Sequence, residues 1–212
     1  MEAYEAQKKL IPHAKVIFDV GAYIGDVTHK YLTMYSDADV WAFEPNPESY
    51  DKLRERYNMN PRVFHTCGAL SDVSGEKMYF SNRAAYTGSL LSVVDKANIW
   101  VKSKELTPAE KYNVDTMTID EVCHLGFIER IDILKLDTQG SELMVLQGAK
   151  SLLARHAIGL IYTEVMFVPI YSQQAKFHDM CAFLDAYGYQ FYNIYDIREH
   201  YGRAKWADVI FV

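Results

Sequence analysis

Cysteine is scarce: Cys67, Cys123 and Cys181 are the three in 212 residues, and no two form a C-x-x-C pair. That spacing supports neither a zinc site nor a disulfide framework, and it suits a reducing compartment. Positive charge is also in deficit, with 22 Lys and Arg against 28 Asp and Glu and a formal net charge of −6. Affinity for a phosphate backbone comes from clustered Lys and Arg, so nucleic-acid binding is not expected as the main activity. Long apolar runs are missing. The most apolar stretch, 158–170, carries Glu164 in its middle and is shorter than the roughly 20 residues that span a bilayer. The first ten residues have no signal-peptide core. Two phosphate signatures are absent as well, G-x-x-x-x-G-K-[ST] anywhere and G-x-G-x-x-G after the first strand-like run. These absences predict a soluble, cytoplasmic protein whose ligand is not held by its phosphates.

What is present is an ordinary globular composition, 50% hydrophobic and 24% charged. The length fits one domain over residues 1–212, because a single core serves up to roughly 250 residues. There is no internal repeat or low-complexity linker. Residues 1–14 hold a short helix, ended by Pro12.

The chain is organised around 16–28, where an apolar β-branched run ends in Asp19, Gly21 and Gly25 follow, and a helix over 24–35 begins. Glycines there let backbone approach a ligand, and a helix start offers free N–H groups. A second strand, 40–44, ends at Glu44-Pro45, and Asn46 with Pro47 starts a helix to about 57. A third strand covers 62–70, with a short half-exposed one at 77–80. Residues 81–115 lose all periodicity, and loops this long inside a domain are usually functional. They form the candidate acceptor segment, with Asn82, Arg83, Tyr86 and Ser89 as candidate substrate contacts.

Thr118 caps a short helix over 118–122. A fourth strand, 131–137, ends at Asp137, and a long amphipathic helix follows over 140–156. The fifth strand, 158–164, ends at Glu164, and a helix over 173–186 leads to a terminal hairpin, 189–197 with 206–212. Strands alternating with helices predict an α/β fold with a mostly parallel sheet and one antiparallel strand.

Open α/β sheets bind ligands beyond the carboxyl ends of their strands. Asp19, Glu44, Asp137 and Glu164 all fall there. The Asp19-x-Gly21-x-x-x-Gly25 turn followed by a ribose-binding acid, Glu44, matches what an S-adenosylmethionine pocket needs: backbone room at the amino-acid end, a carboxylate for the ribose and an apolar cleft for adenine. His65 lies within a strand and reads as a packed residue; His29 reads as solvent-facing.

Phe18-Asp19-Val20-Gly21-Ala22-Tyr23-Ile24-Gly25 with Phe43-Glu44-Pro45 resembles the class I methyltransferases, whose Rossmann-like, seven-stranded sheet carries an antiparallel strand from a C-terminal hairpin. More narrowly, Cys67-Gly68-Ala69-Leu70-Ser71-Asp72, Gly88-Ser89-Leu90 and Leu134-Lys135-Leu136-Asp137-Thr138-Gln139-Gly140-Ser141-Glu142-Leu143 resemble the FkbM family. That resemblance implies an S-adenosylmethionine-dependent O-methyltransferase acting on a hydroxyl of a small metabolite, sugar or glycan. It places Asp19, Gly21, Ala22 and Gly25 at the methionine end, Glu44 at the ribose, and Ala69, Leu70 and Ser71 beside adenine, with Tyr23, Asp26, Thr28 and Pro45 as further cofactor-binding candidates. Asp137 is the first candidate for the base, ahead of Glu164 and Glu142. The family often has an acid where this chain has Gln139. No metal is required by the spacing, and a homo-oligomer is compatible with it. Methylation of protein or RNA, and a non-catalytic cofactor-binding module, remain as alternatives.

Overall fold

The computed structural model describes residues 2–101 and 104–212; Met1, Lys102 and Ser103 lie outside the described residues, so the segments 1–14 and 81–115 are seen without them. After a short helix, α1 (Ala3–Leu10), comes strand β1 (Val16–Val20), with four of its five residues buried. The apolar run is the cause, because a strand covered on both faces has no polar side to show. Ile17 packs into the core on one face of the sheet and Phe18 into the core on the other. Helix α2 (Asp26–Met34) follows, then β2 (Asp39–Glu44), α3 (Pro47–Tyr57) and β3 (Val63–Cys67). Asn46 caps α3 by accepting from the Ser49 N–H at 3.0 Å, with Pro47 at the first helical position.

Two short excursions precede the second half of the large sheet. They comprise β4 (Ala69–Leu70), β5 (Gly75–Asn82), β6 (Pro108–Met117) and α4 (Ile119–Leu125). The chain then runs through β7 (Ile131–Leu136), α5 (Glu142–Gln147), α6 (Lys150–Ala154), β8 (Ile158–Met166), α7 (Phe177–Asp185), β9 (Phe191–His200) and β10 (Arg203–Phe211). The seven-stranded sheet has the order β3-β2-β1-β7-β8-β10-β9. All pairs from β3 to β8 are parallel, and β10 runs antiparallel to both β8 and β9. The order reverses between β1 and β7, and that switch point sets the ligand crevice. Among the described residues, no helix is long and apolar enough to cross a membrane.

Three expectations change. The strand expected over 62–70 divides at Gly68, whose N–H donates to the Glu44 carbonyl at 3.2 Å, and the chain then leaves for a second sheet of order β4-β6-β5. The segment 81–115 is not wholly irregular. Its ends belong to β5 and β6, an antiparallel pair, and only the middle is built of 3₁₀ turns. The first half of β6 is exposed, and its alternation is confined to Tyr112, Val114 and Thr116, with Asn113 and Asp115 exposed between them. The helix expected over 140–156 breaks between α5 and α6, at Gly148 and Ala149. Gly148 lies against the Ser71 carbonyl with no room for a Cβ, so the break lets the chain pass close to β4.

Candidate functional site

A cavity of about 380 Å³ opens at the carboxyl ends of β1, β2, β7 and β8. Its first wall is the turn after β1. Gly21 has φ +77°, and a side chain there would strike the Asp137 backbone carbonyl. The glycine thus lets β7 come close while it still lines the cavity. Gly25, with φ +86°, faces Leu53 and Tyr57 of α3 instead of the cavity.

Glu44 ends β2 and is only 5% exposed. Its Oε2 accepts from the Tyr23 N–H and its Oε1 from the Asn46 N–H, both at 2.8 Å. Burial pushes its carboxyl up to about 7, against the pull of those two N–H groups. Ala22, Tyr23, Asp26 and Pro45 line the cavity beside it, and Ala69 and Leu70 line the next stretch of wall with Phe43. Ser71 is buried behind that wall, where its hydroxyl donates to Asp72 at 2.9 Å.

Asp19 does not reach the cavity wall. It is fully buried, accepts from the Thr28 hydroxyl at 2.7 Å and pairs with the Lys135 ammonium at 3.0 Å. Lys135 also donates to the Gly21 carbonyl at 2.8 Å and lies 3.8 Å from Asp137. Burial alone would lower the Lys135 pKa; Asp19 and Asp137 outweigh it and raise the pKa, so the ammonium is retained. Asp19, Thr28 and Lys135 are therefore a buried brace under the turn. A lysine inside the apolar run of β7 was the signal for it, since an unpaired charge is not tolerated in such a strand.

At the end of β7 and β8, Gln139 sits between two acids. Its Nε2 donates to Asp137 at 2.8 Å and to Glu164 at 3.3 Å. The Tyr171 hydroxyl lies 3.0 Å from Gln139 Oε1 and 2.8 Å from the Thr87 carbonyl, ready to donate to either. Burial, and then the charge of Asp137, raise the Glu164 pKa well above the carboxylate range. Asp137, Gln139, Glu164 and Tyr171 all line the cavity. Glu142 does not line it: the carboxylate accepts from the Thr138 N–H at 2.9 Å and the Gly140 N–H at 3.1 Å, and it holds the loop that carries Gln139.

The fourth wall is the irregular middle of 81–115. Tyr86 meets Tyr23 edge to face at 5.9 Å between centroids, and Ser89 donates to the Thr138 carbonyl at 3.3 Å; all three of Tyr86, Thr87 and Ser89 face the cavity. Asn82 is buried and donates to the Thr87 carbonyl at 2.7 Å, shaping the loop. Arg83 is exposed and lies outside the lining. His65 shares a hydrogen bond of 3.0 Å with the Tyr50 hydroxyl, and His29 is exposed. Sequence reasoning missed Tyr171 and Trp206 as lining residues, because no local motif surrounds them, and Thr87, which stands just before Gly88-Ser89-Leu90.

Residues 19–191 match the family model described as the methyltransferase FkbM domain. The chain belongs to the FkbM methyltransferase family. Its relatives include the hexuronic acid methyltransferase AglP of Haloferax volcanii, 27% identical over 151 residues that cover 71% of this chain and 55% of that protein. Another is the 2-O-methyltransferase NoeI of Sinorhizobium fredii, 27% identical over 172 residues, covering 75% and 66%. The chain thus spans between about half and two thirds of the length of these curated relatives. Among solved structures, the fold is similar to Aeropyrum pernix fibrillarin in complex with S-adenosylmethionine, with a TM-score of 0.52, 12% identity, and coverage of 99% of this chain and 74% of that one. It is also similar to the Burkholderia thailandensis 1,6-didemethyltoxoflavin-N1-methyltransferase, with a TM-score of 0.51, 13% identity, and coverage of 98% and 74%. At these identities the likeness is one of fold, that of the class I methyltransferases.

Proposed function

We propose that this FkbM-family chain is an S-adenosylmethionine-dependent O-methyltransferase whose acceptor is a sugar or glycan hydroxyl. The observation that carries the reading is Glu44, a buried carboxylate at the end of β2 on the wall of a cavity at the sheet's switch point. A carboxylate has about four acceptor sites. Two are used by the Tyr23 and Asn46 N–H groups, so two remain for a pair of ribose hydroxyls. The flanking Ala69, Leu70 and Phe43 give the apolar surface an adenine ring needs. The residues present fit the cofactor. The names of AglP and NoeI support a sugar hydroxyl as acceptor.

When bound, the sulfonium supplies an electrophilic methyl group. The chain's own part is to aim a hydroxyl at it and to take up the proton. Holding the two reactants in line accounts for a large share of such an acceleration. Asp137 is the base in this reading. It faces the cavity; Gln139 donates to its Oδ1, and its Oδ2, 3.8 Å from the Lys135 ammonium, is the oxygen that accepts from the acceptor hydroxyl. Glu164, raised well above the carboxylate range, favours its protonated form and is a poor competitor for that role.

The test is methyl transfer from labelled cofactor to a panel of monosaccharides and glycosides, read by product mass. A product heavier by one methylene supports the reading. S-adenosylhomocysteine that fails to bind the protein sinks it.

A further inference from the structure

Beside the cavity, two cations stack on tryptophans of one apolar cluster, on the side where Val101, Glu105 and Leu106 line the wall. Met166 of β8 and Trp206 of β10 stand opposite each other in register, and both line the cavity. Across β10, Arg198 of β9 is the register partner of Trp206. Directly opposite residues of an antiparallel pair share a face, which sets Arg198 beside Trp206 at a point where the β9–β10 register shifts on either side. The Lys205 ammonium lies 4.1 Å from the centroid of the Trp206 ring, and the Arg203 guanidinium lies 4.6 Å from that of Trp100. Trp100 and Trp206 pack on one apolar cluster together with Val101 and Leu106, which line the cavity too. Among the described residues, Arg198, Arg203 and Lys205 are in no ion pair.

This arrangement is unusual for the chain as a whole, which is acidic. It is also opposite in sign to the cavity floor, where Asp137 and Glu164 sit. An indole offers a flat apolar face, and a guanidinium stacked on an indole keeps its N–H edges free for a carboxylate. A track for a polyanion would need a longer run of basic residues than three at one hairpin end. A single anionic group on a compact, partly apolar ring matches the geometry. Its charge would be held at the rim, away from the floor acids, while a hydroxyl of the same ring points inward.

We propose that Arg203, Lys205 and Arg198, with Trp206 and Trp100, form an acceptor subsite for the charged group of an acidic saccharide of the hexuronate kind. This rests on the reading of the cavity as a sugar O-methyltransferase site. The subsite selects the acceptor, and Asp137 on the floor takes up the proton.

The experiment is a calorimetric titration of the protein, saturated with S-adenosylhomocysteine and again without it, with p-nitrophenyl β-D-glucuronide and p-nitrophenyl β-D-glucoside. The glucuronide is expected to bind about tenfold more tightly than the glucoside, a difference of about 1.4 kcal/mol, and the gap should narrow as salt is added. In an Arg203→Ala, Lys205→Ala double variant the two glycosides should bind alike, while S-adenosylhomocysteine affinity stays within about twofold of wild type. Equal affinities in the wild-type protein, binding of neither glycoside, or a preference that survives the double substitution would overturn the subsite. Failure of S-adenosylhomocysteine to bind counts against the cofactor reading instead, and the titration without it still decides the rim.

Discussion

The wall formed by Gly21, Tyr23 and Glu44 comes from the ends of two neighbouring parallel strands, whereas the opposite wall gathers Thr87, Gln139, Tyr171 and Trp206 from four separate parts of the chain. The first wall is braced from beneath by a buried ion pair, Asp19 with Lys135, and by two backbone N–H bonds to Glu44. The second is held by single hydrogen bonds between loops, such as Tyr171 to Thr87 and Ser89 to Thr138. A cofactor shared by many enzymes needs a fixed socket, and an acceptor that differs among them needs a wall that can be rewritten. In the proposed function, rigid strand ends would serve the first need and loops the second.

That contrast can be broken by substitutions on each side. Glu44→Ala should have the largest effect. It removes two hydrogen-bond acceptors for the ribose and loosens the turn at Tyr23, and loss of charge-assisted bonds of about 1.5–3 kcal/mol each predicts a weakening of S-adenosylhomocysteine binding by about 100-fold or more. Calorimetry measures it directly. Gly21→Ala comes next, acting on folding. The new Cβ meets the Asp137 carbonyl in a left-handed conformation, and a stability loss of about 2 kcal/mol or more is expected in denaturant unfolding.

On the wall proposed to hold the acceptor, Gln139→Leu takes away the amide that orients Asp137, and Tyr171→Phe frees that amide from its anchor. We expect kcat to fall about tenfold or more for the first and less for the second, with S-adenosylhomocysteine affinity little changed in both. A parallel loss of cofactor affinity would erase the distinction between the walls. The smallest expected effect is that of pH. The Glu44 carboxyl is pushed up to about 7, so it gains a proton as pH falls through that value. Ribose hydroxyls donate to the carboxylate form. Affinity should therefore drop by up to about tenfold from pH 8 to pH 6, with proton release on binding near neutrality.

The same contrast explains what could be read from the residues alone. The strands around β1, the cap at Asn46 and the terminal hairpin were legible, because apolar runs and turn chemistry are local signals. Glu44 was legible for the same reason, as an acid ending an apolar strand. What the missing Cβ of Gly21 and of Gly25 makes room for was not legible, since it depends on β7 and α3, which are distant in sequence, although Gly21 does line the cavity. β6 stayed hidden because its exposed first half leaves only the short alternation Tyr112, Val114, Thr116 to read. Tyr171 and Trp206 reach the cavity only through the loop after β8 and the register of β10. Tertiary packing alone brings them there.

The most direct measurement of the central claim, that Glu44 and the turn after β1 form a socket for S-adenosylmethionine, is a calorimetric titration of S-adenosylhomocysteine into the wild-type protein near pH 7 in two buffers of different ionisation enthalpy. One saturable site is predicted, with a heat that differs between the buffers because Glu44 gives up a proton on binding. A titration with no binding heat in either buffer, or a site whose heat is the same in both, would contradict it.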